Sequence, residues 1–370
     1  MRNTITFEDE KNDPRTSSFC WWRSCEELDE KVITPSRLEL LREMERLALI
    51  APESLDDLRH RLFSYHPGDL YIPTGGIEKE DLQLPPLITI LLVGFRGAGK
   101  SSLINLMYSV LGRTGLIPFA QTSGSSEHHS TMCLEEHNVL RSASNGFCVF
   151  DSRGLDYEKM VESFDGLFQW MEDGVRHHQE CRREGDEDEP NGEPSGLCWF
   201  ESSKYAKRRV NCVFVVANMA EICGAVKDGN KKPLEATKSL FTCPAINKCN
   251  ENPILILTQG DELSADERLQ GRLMICEFLG ISATTGAYDI ACVTEHGILT
   301  NESDPVTAYA LAEAVYRALL FSDRTHPTKR NFKDWLLICI STLVFFMANF
   351  FAFLADVLSN LEKKTGKLKH

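Results

Sequence analysis

Eight consecutive residues carry the clearest chemistry in this chain: Gly94-Phe95-Arg96-Gly97-Ala98-Gly99-Lys100-Ser101. They fit the pattern of a phosphate-binding loop without deviation. Its glycines let the backbone wrap a phosphate and turn several N–H groups inward. Lys100 adds a point charge at the β and γ phosphates, and the Ser101 hydroxyl is placed to ligate Mg2+. Gly94, Gly97, Ala98, Gly99, Lys100, Ser101 and Ser102 therefore form the predicted cradle.

Two later stretches add to it. In Asp151-Ser152-Arg153-Gly154, the carboxylate of Asp151 can hold Mg2+ through water, and Gly154 can offer its N–H to a γ-phosphate. In Thr258-Gln259-Gly260-Asp261, Asp261 can accept from both N1–H and the exocyclic amine of guanine. Adenine presents a different edge, so this aspartate selects GTP. The usual lysine of that motif is Gln259 here, which leaves Asp261 in place. Thr294-Glu295 stands where a guanine-backing loop is expected.

These residues need strands and helices to position them. Apolar runs at 87–93, 131–140, 147–150, 210–216, 253–258 and 290–293 read as buried strands alternating with helices. That alternation predicts an α/β fold with a doubly wound sheet over 84–323. The loop lies between the first strand and a helix at 102–111. Ser264 and Glu267 form a capping box, Gly280 stops that helix, and Asp304-Pro305 opens another. Upstream, Thr34 and Pro35 start an N-terminal helical extension over 34–83, with a second helix from Pro52. Residues 1–33 read as an irregular tail with one docking patch, Trp21-Trp22. The stretch 182–196 is acidic, rich in Pro and Gly, and reads as a solvated loop.

One run is of another kind. Residues 335–355 hold no charge between Asp334 and Asp356. Such a run is about 30 Å long as a helix, enough to cross a hydrocarbon core. Its phenylalanines make it apolar on all sides, which predicts a C-terminal transmembrane helix followed by a short basic tail at 356–370.

Composition narrows the function. The chain has 370 residues, 42% of them hydrophobic and 25% charged, with a net charge of −14. Those values exclude collagen-like and wholly disordered chains, and the acidity argues against nucleic-acid binding. The mean hydropathy of −0.23 excludes a multi-pass transporter. Thirteen scattered cysteines with no Cys-x-x-Cys pair read as reduced thiols. An acidic start without an apolar run argues against a secretory signal. His128, His129, Cys133 and His137, and then His177, His178 and Cys181, look like metal ligands. On a strand, however, Cys133 and His137 stand roughly 13 Å apart, too far for one ion.

The order P-loop, Asp-x-x-Gly, Thr-x-x-Asp resembles the translation-factor-related class of P-loop GTPases. The run Gly99-Lys100-Ser101-Ser102-Leu103-Ile104-Asn105 is typical of it. Over about 85–320 the chain looks most like the interferon-induced protein 44-like GTPases, themselves similar to septin and dynamin G domains. The tail-anchored layout is also similar to Toc34/AIG1-type GTPases of organelle outer membranes. The resemblance implies GTP or GDP with Mg2+, a switch threonine ahead of Asp151, and homodimers through the G domain. Thr131 has the right distance from Asp151, with Thr122 the alternative, in a polar loop at 121–130. Thr131 then joins Ser101 and Asp151 at the metal. Ras-like members place a water-orienting glutamine after Asp-x-x-Gly; here Leu155 takes that position. Arg96 is either a built-in cation at the γ-phosphate or a solvent-facing loop residue.

The expectation is a membrane-anchored GTP-binding protein: a slow switch or tether with its G domain in the cytosol. The alternatives are a non-hydrolysing membrane scaffold and an ATP-dependent P-loop enzyme.

Overall fold

β1 (Ile88–Val93) reads Ile-Thr-Ile-Leu-Leu-Val, and all six residues are buried. A run apolar on both faces belongs inside a sheet covered on both sides. The computed structural model, which describes residues 20–25, 34–112, 120, 132–140, 146–181, 204–248, 253–291, 304–329 and 332–366, places β1 there. It pairs in parallel with β3 (Phe147–Asp151) on one side and β5 (Cys212–Asn218) on the other. β6 (Ile254–Thr258) and β7 (Ala287–Asp289) continue the parallel sheet. β2 (Cys133–His137) runs antiparallel to β3, and the short β4 (Gln179–Glu180) antiparallel to β2. The order is β4-β2-β3-β1-β5-β6-β7.

Period-two alternation along β1 divides the core. Ile88, Ile90 and Leu92 face one apolar cluster, Leu91 and Val93 the other. α1 (Pro35–Phe63), α2 (Lys100–Val110) and α7 (Pro305–Arg324) cover the first face. α3 (Met160–Asp173), α4 (Met219–Lys227), α5 (Lys232–Phe241) and α6 (Ala265–Leu279) cover the second. Helix ends follow local chemistry. Ser264 and Glu267 make the expected capping box of α6, and Gly280 ends it at φ 75°. Asp304 accepts from the Thr307 N–H to open α7.

Several elements differ from the sequence reading. α1 is one helix of 29 residues that runs through Pro52. The proline removes one hydrogen bond, but the buried stripe Leu47, Ala51, Leu55, Leu58 continues across it. β7 lies at 287–289, ahead of the apolar run read at 290–293, because Ala287, Tyr288 and Asp289 pair with Leu255, Ile256 and Leu257 of β6; residues 292–293 lie outside the described ones. Trp21–Cys25 forms a 3-10 turn, and Trp22 is fully buried in a cluster with α1 and Leu269.

The chain divides into two compact units: Met1–Ile72 with Leu84–Thr325, and Pro73–Gln83 with His326–His370. α1 therefore belongs to the sheet unit. In the second unit, Gln83 N–H donates to the Pro327 carbonyl (2.8 Å) and Lys329 N–H to that of Asp81 (2.6 Å). That unit also holds α8 (Phe332–Gly366). Among the described residues no helix is long and apolar enough to cross a membrane. Leu343, Val344, Phe345, Phe346, Phe350 and Phe351 are all exposed.

Candidate nucleotide site

The three motifs meet where β1, β3 and β6 end. The loop from Gly94 follows β1, and Gly97 and Gly99 adopt φ of 76° and 81°. A side chain is strained there, which is why these positions are glycine. Gly99 is the N-cap of α2, so the first N–H groups of that helix face the loop. Lys100 is buried, and its ammonium donates to the carbonyls of Gly94 (3.2 Å) and Phe95 (3.3 Å). Ser102 follows in the first turn of α2, half-buried like Ser101.

Asp151 closes β3. The Ser101 hydroxyl donates to its Oδ2 at 2.5 Å, and among the described residues its Oδ1 has no hydrogen-bond partner. The side chain is 1% exposed. Burial pushes its carboxyl up from the ordinary value; the Lys100 charge and the Ser101 hydroxyl offset part of that. A buried carboxylate with one unpaired oxygen beside a hydroxyl is a donor set that suits Mg2+. Ser101 and Asp151 thus lie together as expected. Thr131, Thr122, Thr294 and Glu295 lie outside the described residues, as does the acidic stretch 182–196.

Gly154 is held tightly against the P-loop: a Cβ there would stand 2.8 Å from the Arg96 Cα. Backbone bonds join the two segments, from Arg96 N–H to the Leu155 carbonyl (2.9 Å) and from Leu155 N–H to that of Gly94 (3.0 Å). Phe95 stacks on Tyr157, ring centroids 4.2 Å apart and 11° from parallel. The Leu155 side chain packs in the apolar core, while Arg96 is exposed.

Thr258 ends β6. Its hydroxyl lies 2.8 Å from the Ala98 carbonyl and 3.2 Å from that of Ala217. Gln259, at φ 55°, donates through Nε2 to the Gly97 carbonyl at 3.4 Å. Both side chains therefore tie the base loop to the P-loop. Gly260 and Asp261 follow in a short 3-10 turn with Asp261 exposed.

One group escaped the sequence reading. Glu135 of β2 stands opposite Asp151 in the ladder. His137, two residues on, lies 3.6 Å from the Glu135 carboxylate and 3.3 Å from the Tyr108 hydroxyl of α2. The imidazole beside it holds the Glu135 carboxyl below its usual range. The period of two in Glu135 and His137 was the available signal. Of the His and Cys residues whose spacing argued against a shared ion, His177 has another part: its Nδ1 accepts from the Glu136 N–H at 2.9 Å. Among the described residues no group of three His, Cys, Asp or Glu side chains could hold a metal ion.

No protein-family model matches this chain, and no curated protein does. Three solved structures resemble it at 12% identity. A probable GTP-binding protein, engB, is covered over 98% of its length and 62% of this chain, with a TM-score of 0.35. Toc33 from Arabidopsis thaliana in complex with GDP and Mg2+ matches over 75% of this chain and 96% of its own, at 0.37. A dimerization-deficient mutant of Toc33 gives the same coverage at 0.34. At such scores these likenesses assign neither ligand nor activity.

Proposed function

We propose that the chain is a GTP-binding protein, with GDP and Mg2+ as its other ligands, held at a membrane by α8. The observation that carries the nucleotide reading is the pair of bonds from Thr258 and Gln259 to the P-loop carbonyls. They fix the base loop to the phosphate cradle, so one nucleotide can meet Lys100 with its phosphates and Asp261 with its base. Ser101 and Asp151 would hold Mg2+, which neutralises charge on the β and γ phosphates.

Turnover in this reading is slow. Leu155 stands where a water-orienting side chain would act, but it is buried in the core with its backbone bonded to Gly94 and Arg96. The same observation favours a second reading, a nucleotide-bound scaffold that does not hydrolyse. Arg96, exposed on the loop, is the side chain that a second copy docking over the phosphates would meet.

Displacement of a fluorescent GDP analogue from the full-length chain tests the base. GTP and GDP should compete at concentrations at least about a hundredfold below ATP. Equal competition by ATP would overturn the guanine reading. Phosphate release under saturating GTP separates slow turnover from none.

The membrane part rests on the uncharged run 335–355 and on the exposed apolar side chains of α8. Full-length protein should resist carbonate extraction, and a chain lacking 335–370 should be soluble. Protease added outside intact organelles should digest the sheet unit, as expected of a cytosolic orientation. A carbonate-extractable full-length chain would remove the anchor.

A further inference from the structure

Arg268 of α6 lies directly behind the base loop. Its Nε and Nη2 donate to Asp289 Oδ2 and Oδ1, both at 2.8 Å, and both side chains are buried. Asp289 ends β7. Gly260 rests against this pair: a Cβ there would stand 2.6 Å from Arg268 Nε and 3.0 Å from Asp289 Oδ1. Burial pulls the guanidinium down, but Asp289, and after it Asp261 and Asp304, more than reverse that. The base-reading carboxylate and the buried ion pair thus share one field.

Asp289 meets the guanidinium at its edge, and the central carbon lies 4.2 Å over the Trp21 ring. That ring is held by the turn around it. Trp22 is fully buried and donates through Nε1 to Glu45 at 2.7 Å. Arg23 makes two bonds to the same carboxylate, at 2.8 and 2.9 Å. Cys20, Trp22 and Cys25 pack against Leu269, the residue after Arg268, and against Val306.

We propose that Trp21 and Arg268 are positioning residues for base recognition: the N-terminal turn clamps the ion pair on which Gly260, the residue before Asp261, rests. The inference rests on the guanine reading above. A carboxylate that must accept two bonds from one base edge depends on its angle, so its support sets selectivity. A cation bonded at its edge by a carboxylate and also covered by an indole is held more firmly than by the carboxylate alone. Without the ring, Arg268 gains freedom and water reaches the pair. The loop in front of it then loosens, while the phosphate cradle, built on β1 and α2, stays as it is.

Full-length Trp21→Ala and Trp21→Phe variants test this. Trp21→Ala should weaken GDP and GTP by about three- to tenfold. ATP binding should not change, so the guanine-to-adenine ratio falls by the same factor. Trp21→Phe, which keeps a ring over the cation, should stay within about twofold of the parent. Equal losses for GDP and ATP, or no loss at all, would overturn the inference while leaving the guanine reading intact. A parent chain without guanine preference overturns both. Because Trp21→Ala disturbs a packed turn, a measurement on the unmodified chain stands beside it. If the turn supports the base loop, GDP must in return steady the turn. Amide exchange across 21–25 should therefore slow on adding GDP. Protection of 94–101 with unchanged exchange at 21–25 would sink the proposal, whatever the variant does.

Discussion

At the phosphate end of the site, main chain holds main chain. Arg96 and Leu155 are joined by N–H and carbonyl groups, which every residue but proline supplies. The base end is held by side chains: the Thr258 hydroxyl, the Gln259 amide and the Arg268–Asp289 pair. The difference explains where the sequence departs from its expected pattern without harm. A leucine after Gly154 leaves the backbone lock untouched. Gln259 in the lysine position survives because its amide reaches the same loop. Selectivity should therefore be fragile at the base end, and phosphate affinity robust except where a charge is removed.

Four substitutions press on that contrast. In the proposed site Lys100→Ala removes the buried charge that would face the β and γ phosphates. It should weaken a fluorescent GTP analogue by more than about a hundredfold in equilibrium titration. Retained affinity would move the phosphate away from this loop. Asp261→Asn should leave phosphate binding alone and cut guanine preference by roughly thirtyfold, with xanthosine nucleotides gaining. Full selectivity in that variant would reduce Asp261 to a turn residue. Leu155→Gln puts an amide into the apolar core and should cost about 2 kcal/mol in denaturant unfolding. The contrast also expects no faster phosphate release from it, since the backbone bonds hold that position in place. A tenfold or greater gain, on the order of 1.4 kcal/mol, would break the account of slow turnover. Thr258→Val loses two hydroxyl contacts, to the carbonyls of Ala98 and Ala217. It should lower stability by about 1 kcal/mol, read as a drop in melting temperature.

The cradle was legible because backbone geometry dictates its residues: only glycine sits easily at φ 76° and 81°. β1, β3, β5 and β6 were legible as apolar runs, while β4 was not, and the caps of α6 and α7 were legible as local hydrogen-bond chemistry. What stayed hidden depends on contacts across long stretches of chain. Arg268 and Asp289, 21 residues apart, drew no reading, because only the packing of α6 beside β7 pairs them. Trp21 read as part of a loose tail because its partner stands nearly 250 residues further on. Glu135 gains meaning only from its register opposite Asp151. Pro52 misled in the other direction, since a local rule against proline gave way to an apolar stripe with a partner along its whole length.

That stripe has a consequence for how the chain is made. α1 packs along α7, joining residues 35–63 to residues 305–324. Synthesis at about 5–20 residues per second leaves α1 without that partner for on the order of tens of seconds. During this interval Leu40, Leu41, Met44, Leu47, Leu55, Leu58 and Leu62 lack the surface that later covers them. The first helix of the sheet unit is thus among the last to be satisfied. Nascent chains stalled before residue 305 should be captured by holdase chaperones through 35–63, and released once α7 has emerged.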